Sequence, residues 1–265
     1  MVKFRVNNYG VRNYGKARLH MRIFIIRHGD PYYPADSLTE KGTREAELLS
    51  KRLIKEGIKE IYVSPHGRAQ LTAAPTAEKL GITPTVLDWL REFPAQIKTE
   101  YTTDFYESFH SGWNMPPELW TEDKDNYSIE NWKNAEILRD SKVVETYDRV
   151  CAEFDNFTAA HGYTRDGSGG MYRISDDADE ENTIALFCHF GLGTALISHV
   201  LNMPLVPVWN SVFLPTSSVT TLYMERHLAS RPIAHGIFVG IGDTSHLFAG
   251  NETISCSGLH TKKLI

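Results

Sequence analysis

Arg27, His28 and Gly29 follow directly on Ile23-Phe24-Ile25-Ile26, four apolar, mostly β-branched residues of the kind that form a strand buried on both faces. An arginine and a histidine at the end of such a strand are costly unless something polar meets them. In open α/β sheets, ligands bind just beyond the carboxyl ends of the strands. A second apolar run, residues 183–188, ends on His189, with Gly191 and Gly193 close behind. A third, Glu60-Ile61-Tyr62-Val63, leads into Ser64-Pro65-His66-Gly67-Arg68. If these strands run parallel in one sheet, two imidazoles and two guanidinium groups gather on one rim. That cluster suits a dianionic phosphoryl group. The arginine fork pairs with its oxygens bidentately, and a histidine nitrogen can attack phosphorus.

The segments between these junctions supply the elements that would hold them. After the turn-rich stretch 30–36, Thr39 is placed to cap a helix with Glu40 in its first turn. Ala46, Leu49, Leu53 and Ile54 share one face, and Gly57 marks the stop. Strand, loop, helix and strand in that order make a βαβ crossover. The helix after Arg68 carries Ala69, Thr72, Ala73, Ala77 and Leu80 at helical spacing. Pro75 interrupts it, which predicts a kink or two short helices in series.

Residues 95–140 read as an insertion, rich in tryptophan, tyrosine and acids with little periodicity. It is either a lid or binding loop or an aromatic cap over the core. Val143, Val144, Tyr147, Val150, Cys151, Phe154 and Phe157 then mark an amphipathic helix ending near Gly162. The glycines at 167, 169 and 170 and the acidic run 176–181 mark an exposed loop or hairpin. Leu192, Ala195, Leu196, His199 and Val200 suit a helix after His189. Two late strands, 218–224 and 233–241, read as an antiparallel pair at a sheet edge. The expected fold is a three-layer α/β/α sandwich, with a mostly parallel central sheet and an antiparallel edge.

Composition bounds the rest. The chain has 265 residues, 42% hydrophobic, with a net charge of −5, which fits an ordinary globular protein and not a general nucleic-acid binder. Cys151, Cys188 and Cys256 have no metal spacing and no paired framework, which points to a reducing, cytoplasmic setting. No apolar run approaches the roughly 20 residues that span a bilayer. Residues 1–20 carry five basic residues and no acid, with no apolar stretch of a secretory signal. They are expected to lie outside the fold, leaving 21–265 as one domain. The partner expected is a small phosphorylated substrate, with neither nucleic acid nor membrane; self-association stays open.

The ordered set Arg27-His28-Gly29, Leu38-Thr39-x-x-Gly42 with Ala46, Ser64-Pro65-x-x-Arg68-Ala69-x-x-Thr72-Ala73, and a strand ending on His189 resembles the histidine phosphatase superfamily, which includes the cofactor-dependent phosphoglycerate mutases. The resemblance covers most of 22–95 and roughly 183–224. It implies that His28 is the nucleophile, accepting the phosphoryl group as a phosphohistidine. Arg27, Arg68 and His189 would bind the phosphoryl oxygens, and Glu92, in Leu90-Arg91-Glu92-Phe93, would be the proton donor. Asp30, Asp88 and Glu100 are nearby carboxylates that could substitute for Glu92. Three residues depart from the family pattern: Asp30 two after the nucleophile, and Cys188 and Phe190 flanking the second histidine.

The implied function is a phosphatase that hydrolyses a small phosphomonoester, with no cofactor and no metal required. The alternatives are a mutase of the phosphoglycerate type, which returns the phosphoryl group to its substrate, and a non-catalytic phosphate-binding domain. A histidine nucleophile attacks through an unprotonated nitrogen, whereas His189 would serve better partly protonated. Cys188 suggests a cysteine-based phosphatase, but 189–199 contain no arginine to close the loop. Gly191-Leu192-Gly193-Thr194 is too short for a dinucleotide fingerprint and lacks a P-loop lysine. His66 reads as loop surface within reach of substrate; His246 reads equally as a rim contact or a structural tie.

Overall fold

The strand ending on Arg27 lies inside an eight-stranded sheet, parallel to one neighbour and antiparallel to the other. The computed structural model describes residues 20–94, 96–98, 109–113, 115–167, 169–226, 228 and 230–259. The expected extension, apart from its last residue, lies outside these. His20 already begins the first strand, one residue earlier than the expected domain boundary.

In chain order the strands are β1 (His20–Arg27), β2 (Pro31–Tyr32), β3 (Ser37–Leu38), β4 (Glu60–Val63), β5 (Thr85–Val86), β6 (Gln96–Lys98), β7 (Phe109–Ser111), β8 (Tyr163–Asp166), β9 (Met171–Ile174), β10 (Thr183–Cys188), β11 (Val219–Arg226) and β12 (Ile233–Asp243). The helices are α1 (Glu40–Leu53), α2 (Gly67–Leu80), α3 (Val143–Ala160), α4 (Phe190–Leu201), α5 (Leu205–Ser211) and α6 (Ser245–Ala249). The main sheet runs β5-β4-β10-β1-β11-β12-β9-β8. It is parallel from β5 to β1 and antiparallel from β11 to β8.

Alternation along β1 divides the core. Met21, Ile23 and Ile25 face a cluster that contains Val150, Phe154, Leu192 and Leu196 of α3 and α4. Phe24 and Ile26 face Leu49, Leu53, Ala69 and Ala73 of α1 and α2. Both faces are covered, so the strand is apolar throughout. The sandwich of helices around a mixed sheet is the expected architecture.

Several boundaries differ from the sequence reading, each for a local reason. Pro75 lies inside a single helix, α2, and does not split it. The carbonyl it leaves without a partner belongs to Leu71, which is solvent-exposed, so water can take the place of the missing N–H. Ile54, not Gly57, caps α1; Gly57 adopts a left-handed φ of 68° three residues later. The β11–β12 pair is antiparallel as expected but internal, because the β8–β9 hairpin adds outside β12. In the insertion, Trp120 and Trp132 are buried and join the main core, so these two side chains act as cap rather than lid.

The turn after β1 is held backbone to backbone by the start of α1. Thr39 caps that helix by accepting the Gly42 N–H at 3.0 Å. A Cβ on Gly29 would lie 2.8 Å from the Gly42 carbonyl oxygen, and one on Gly42 would collide with the Asp30 carbonyl. His246 of α6 is the structural tie of the two readings open for it. Its Nε2 lies 3.1 Å from the Ser217 hydroxyl, and the Ser217 N–H donates to the His28 carbonyl. Burial and the nearby Arg52 hold its pKa down to about 4.

Two stability predictions follow from this packing. Gly42→Ala forces backbone apart at both ends and should cost about 1–3 kcal/mol, read as a lower urea midpoint with unchanged m. His246 binds a proton more readily unfolded than folded, so it favours the native state above pH ~6.5 and loses that contribution as pH falls towards 4. The full loss is roughly 3 kcal/mol. His246→Gln should therefore flatten the fall in stability between pH 6.5 and 4, measured by thermal melts across that range.

Candidate active site

Three mutually parallel strand ends meet at the rim. The His28 N–H donates to the Cys188 carbonyl at 3.0 Å, and the Ser64 N–H to the Phe187 carbonyl at 2.9 Å. This ladder carries His28, Ser64 and His189 out of β1, β4 and β10 side by side. The rings of His28 and His189 lie 5.1 Å apart, edge to face. Exposures of 1% for His28, 0% for His189, 4% for Arg27 and 8% for Arg68 make the cluster a recessed pocket floor rather than a surface patch.

The hydrogen bonds fix both tautomers. His28 Nδ1 lies 2.7 Å from the Gly29 carbonyl, which can only accept, so Nδ1 carries the hydrogen and Nε2 keeps its lone pair. Arg68 can only donate, so the 3.2 Å contact from its Nη2 makes His189 Nδ1 an acceptor. His189 Nε2 then donates to the Ser64 hydroxyl at 2.8 Å. Burial, together with Arg27 and Arg68, holds the His28 pKa well below the usual imidazole value. Burial, then His28 and Arg68, does the same to His189. Both rings are neutral at rest, so the partly protonated His189 of the sequence reading is not the resting state. Cationic neighbours in a dry site oppose it.

The two arginines are fixed differently. Arg27 donates to the backbone carbonyls of Leu214 (2.7 Å) and Ser257 (3.0 Å). Its guanidinium also lies over the rings of Phe190 and Phe213, at 5.4 and 5.8 Å. Arg68, in the first turn of α2, pairs with Asp36 at 2.5 Å and lies 5.6 Å from the centre of the Tyr33 ring. The Nε of each guanidinium is buried without a protein partner.

Glu92 reaches the same rim from the loop after β5. Its Oε1 accepts N–H groups from Phe93 (2.8 Å), Gly191 (3.0 Å) and Leu192 (3.3 Å), the last two at the N-terminus of α4. Burial outweighs these donors and raises its pKa above the usual glutamate value. With Oε1 committed as an acceptor, Oε2 is the oxygen left to carry a proton. Two of the competing carboxylates do not match it. Asp88 is exposed and pairs with Arg91, Asp30 is occupied by Thr39 and Ser255, and Glu100 lies outside the described residues.

All five candidates, Arg27, His28, Arg68, Glu92 and His189, thus belong to one locality. The sequence reading missed four supporting groups. Ser64 and Thr72 stood inside a quoted motif; Thr72 accepts the Gly29 N–H at 2.9 Å. Glu45 is fully buried and accepts the Asp30 N–H at 2.9 Å and the Thr216 hydroxyl at 3.1 Å. A charge beside Ala46 and Leu49 on the apolar face of a helix was its signal. Asp36, in left-handed backbone at φ 45°, had no signal beyond its turn. His66, read as loop surface, caps α2 with its ring perpendicular to His189 at 5.1 Å. Among the described residues, no group of three or more His, Cys, Asp or Glu side chains is arranged to hold a metal ion.

Comparisons with known proteins bear on the family and the fold. A probable phosphoglycerate mutase of Yersinia pestis is 36% identical over 81 residues, 27% of this chain. The match spans only 38% of that relative's length. A phosphoserine phosphatase mutant of Entamoeba histolytica, solved with phosphoserine, superposes with a TM-score of 0.56 at 18% identity, covering 86% of this chain and 99% of that one. A mycobacterial glucosyl-3-phosphoglycerate phosphatase in complex with VO3 gives 0.54 at 19% identity, covering 86% and 100%. At these identities the likeness to the solved structures is one of fold. The model of the histidine phosphatase superfamily, branch 1, matches residues 23–230, and this chain belongs to that superfamily.

Proposed function

We propose that the chain is a phosphatase that hydrolyses a small phosphomonoester through a phosphohistidine on His28. The observation that carries this reading is the recessed cluster of two neutral imidazoles and two guanidinium groups, both with an unpartnered Nε. Buried donors left without partners are costly, and a phosphoryl dianion would supply acceptors.

In this reading the His28 Nε2 lone pair attacks phosphorus and the bond to the leaving oxygen breaks. Glu92, whose pKa burial raises and whose Oε2 is free to carry a proton, acts in its protonated form and gives that proton to the departing alkoxide. A water then attacks the phosphohistidine, Glu92 takes a proton from it, and inorganic phosphate leaves with His28 again neutral. A general acid accounts for only ~10²–10⁴ of the acceleration. The larger part falls to Arg27, Arg68 and His189 as fixed electrostatic partners of the transferring group. Burial is the main cause of the low His189 pKa, and a bound dianion offsets the part that its cationic neighbours add, which favours proton gain by His189 as substrate enters. The reading sets the enzyme in the cytoplasm, in keeping with three unpaired cysteines and with no described helix long and apolar enough to cross a membrane.

The test is a panel of phosphomonoesters followed by phosphate release, with product isomers assayed in parallel. His28→Ala should abolish turnover and acid-labile protein phosphorylation. A catalytically competent His28→Ala variant would overturn the nucleophile, and product isomers without free phosphate would favour the mutase. Glu92→Gln should slow alkyl esters by ~10²–10⁴ while sparing good leaving groups. Because the His28 pKa is lowered, kcat/KM should hold as pH drops through 6.5, with its acid limb well below; an inflection at 6.5 from the enzyme would contradict a neutral buried nucleophile.

A further inference from the structure

We propose that Asp30, one of the residues that departs from the family pattern, is a positioning residue for Arg27, acting through the returning segment 252–257. The inference rests on the reading of Arg27 as a phosphoryl-binding group. Both oxygens of the Asp30 carboxylate are engaged within the protein. Oδ2 accepts the Thr39 hydroxyl at 2.8 Å, and Oδ1 accepts the Ser255 hydroxyl at 2.5 Å. Ser255 is buried and its oxygen in turn accepts the Ser257 N–H at 3.1 Å. The Ser257 carbonyl is one of the two that receive Arg27. An unbroken series of hydrogen bonds therefore runs from Asp30 through Ser255 and Ser257 to the guanidinium.

The segment is pinned once more upstream. Glu252 pairs with Lys41 at 2.9 Å and Arg44 at 2.8 Å, and Lys41 also donates to the Thr253 carbonyl. These pairs keep the segment on α1, but they lie several residues from Ser257. The Leu259 N–H donates to the Cys256 carbonyl at 2.9 Å and closes the turn that presents the Ser257 carbonyl, and the Asp30–Ser255 bond ties that turn to the segment just after β1. Arg27 has one other backbone acceptor, Leu214, and a guanidinium held at one corner can swing about it. Asp30 thus acts on phosphate without touching it, by holding the second acceptor in place.

The experiment measures inorganic phosphate binding by calorimetry and steady-state kinetics on an aryl phosphate, for the full chain. Ser255→Ala and Asp30→Ala should each weaken phosphate binding and lower kcat/KM by about tenfold, as for loss of one well-placed charged hydrogen bond. The double variant should be no weaker than either single one, and Ser255→Thr, which keeps the hydroxyl, should restore affinity. Arg27→Ala should weaken binding further and abolish the effect of Ser255→Ala when combined with it. If Arg27→Ala weakens phosphate but Ser255→Ala and Asp30→Ala stay within about twofold of the parent, the latch is wrong and the site reading survives. If Arg27→Ala leaves phosphate affinity intact, both fall. A loss of kcat/KM with phosphate affinity unchanged, or additive losses in the double variant, would also overturn the latch. Should Asp30→Ala fail to fold, Ser255→Ala carries the test, because it leaves the Thr39 cap in place.

Discussion

Arg27, His28 and His189 at the ends of parallel strands and Arg68 in the first turn of α2 are buried together, with more positive charge than the surrounding carboxylates neutralise at contact range. Asp36 pairs directly with Arg68; among the described residues, Arg27 is met by backbone carbonyls and aromatic faces. Burying a guanidinium without a carboxylate is costly, and that cost is not recovered inside the resting protein. It appears as imidazoles driven to their neutral forms and as donors without acceptors. In the proposed reading a phosphoryl dianion supplies the acceptors, so the chemistry of the site and its cost come from one arrangement.

Holding such a cluster together requires a rigid frame, and the parallel half of the sheet supplies it. The β4-β10-β1 pairing sets the spacing of Ser64, His189 and His28, and both faces of these strands are sealed by helices. Electrostatic preorganisation works only when the dipoles and charges do not relax on binding. The close approach of Gly29 to Gly42 and the Glu45 contacts to Asp30 and Thr216 carry that rigidity into the turn itself. Glu45 is costly to bury, and it braces the turn after β1 against the loop before β11, alongside the Ser217 N–H bond to the His28 carbonyl.

What the sequence disclosed was local. Ile23–Ile26 announced a buried strand by composition, Thr39 and Glu40 announced a helix start, and the histidines were visible as polar residues at strand ends. The order of strands was not legible. Nothing near β11 or β12 says that another hairpin adds outside them, because sheet order is decided by contacts far apart in sequence. Pro75 misled for a related reason: a proline's effect depends on whether the freed carbonyl meets solvent, which is a tertiary fact. Asp36 was hidden because its role rests on a left-handed backbone angle and on a partner 32 residues away. Glu45 could have been read, since a carboxylate on an apolar helix face asks for buried donors.

The three departures from the family pattern converge on Arg27 and His189 instead of scattering. Phe190, beside the second histidine, lies with Phe213 against the Arg27 guanidinium. Asp30 holds the turn from which the Ser257 carbonyl reaches that same group. Cys188 is fully buried with its thiol pushed up to about 12, so it is a small apolar filler under His189 and not a second nucleophile. An arginine gripped by two carbonyls and two rings has little freedom left to adapt to its ligand. In the proposed reading, selectivity comes from how well a phosphoryl group fits this fixed fork, and the exposed Tyr33 against Arg68 and the half-buried His66 against His189 are placed to meet the rest of the substrate.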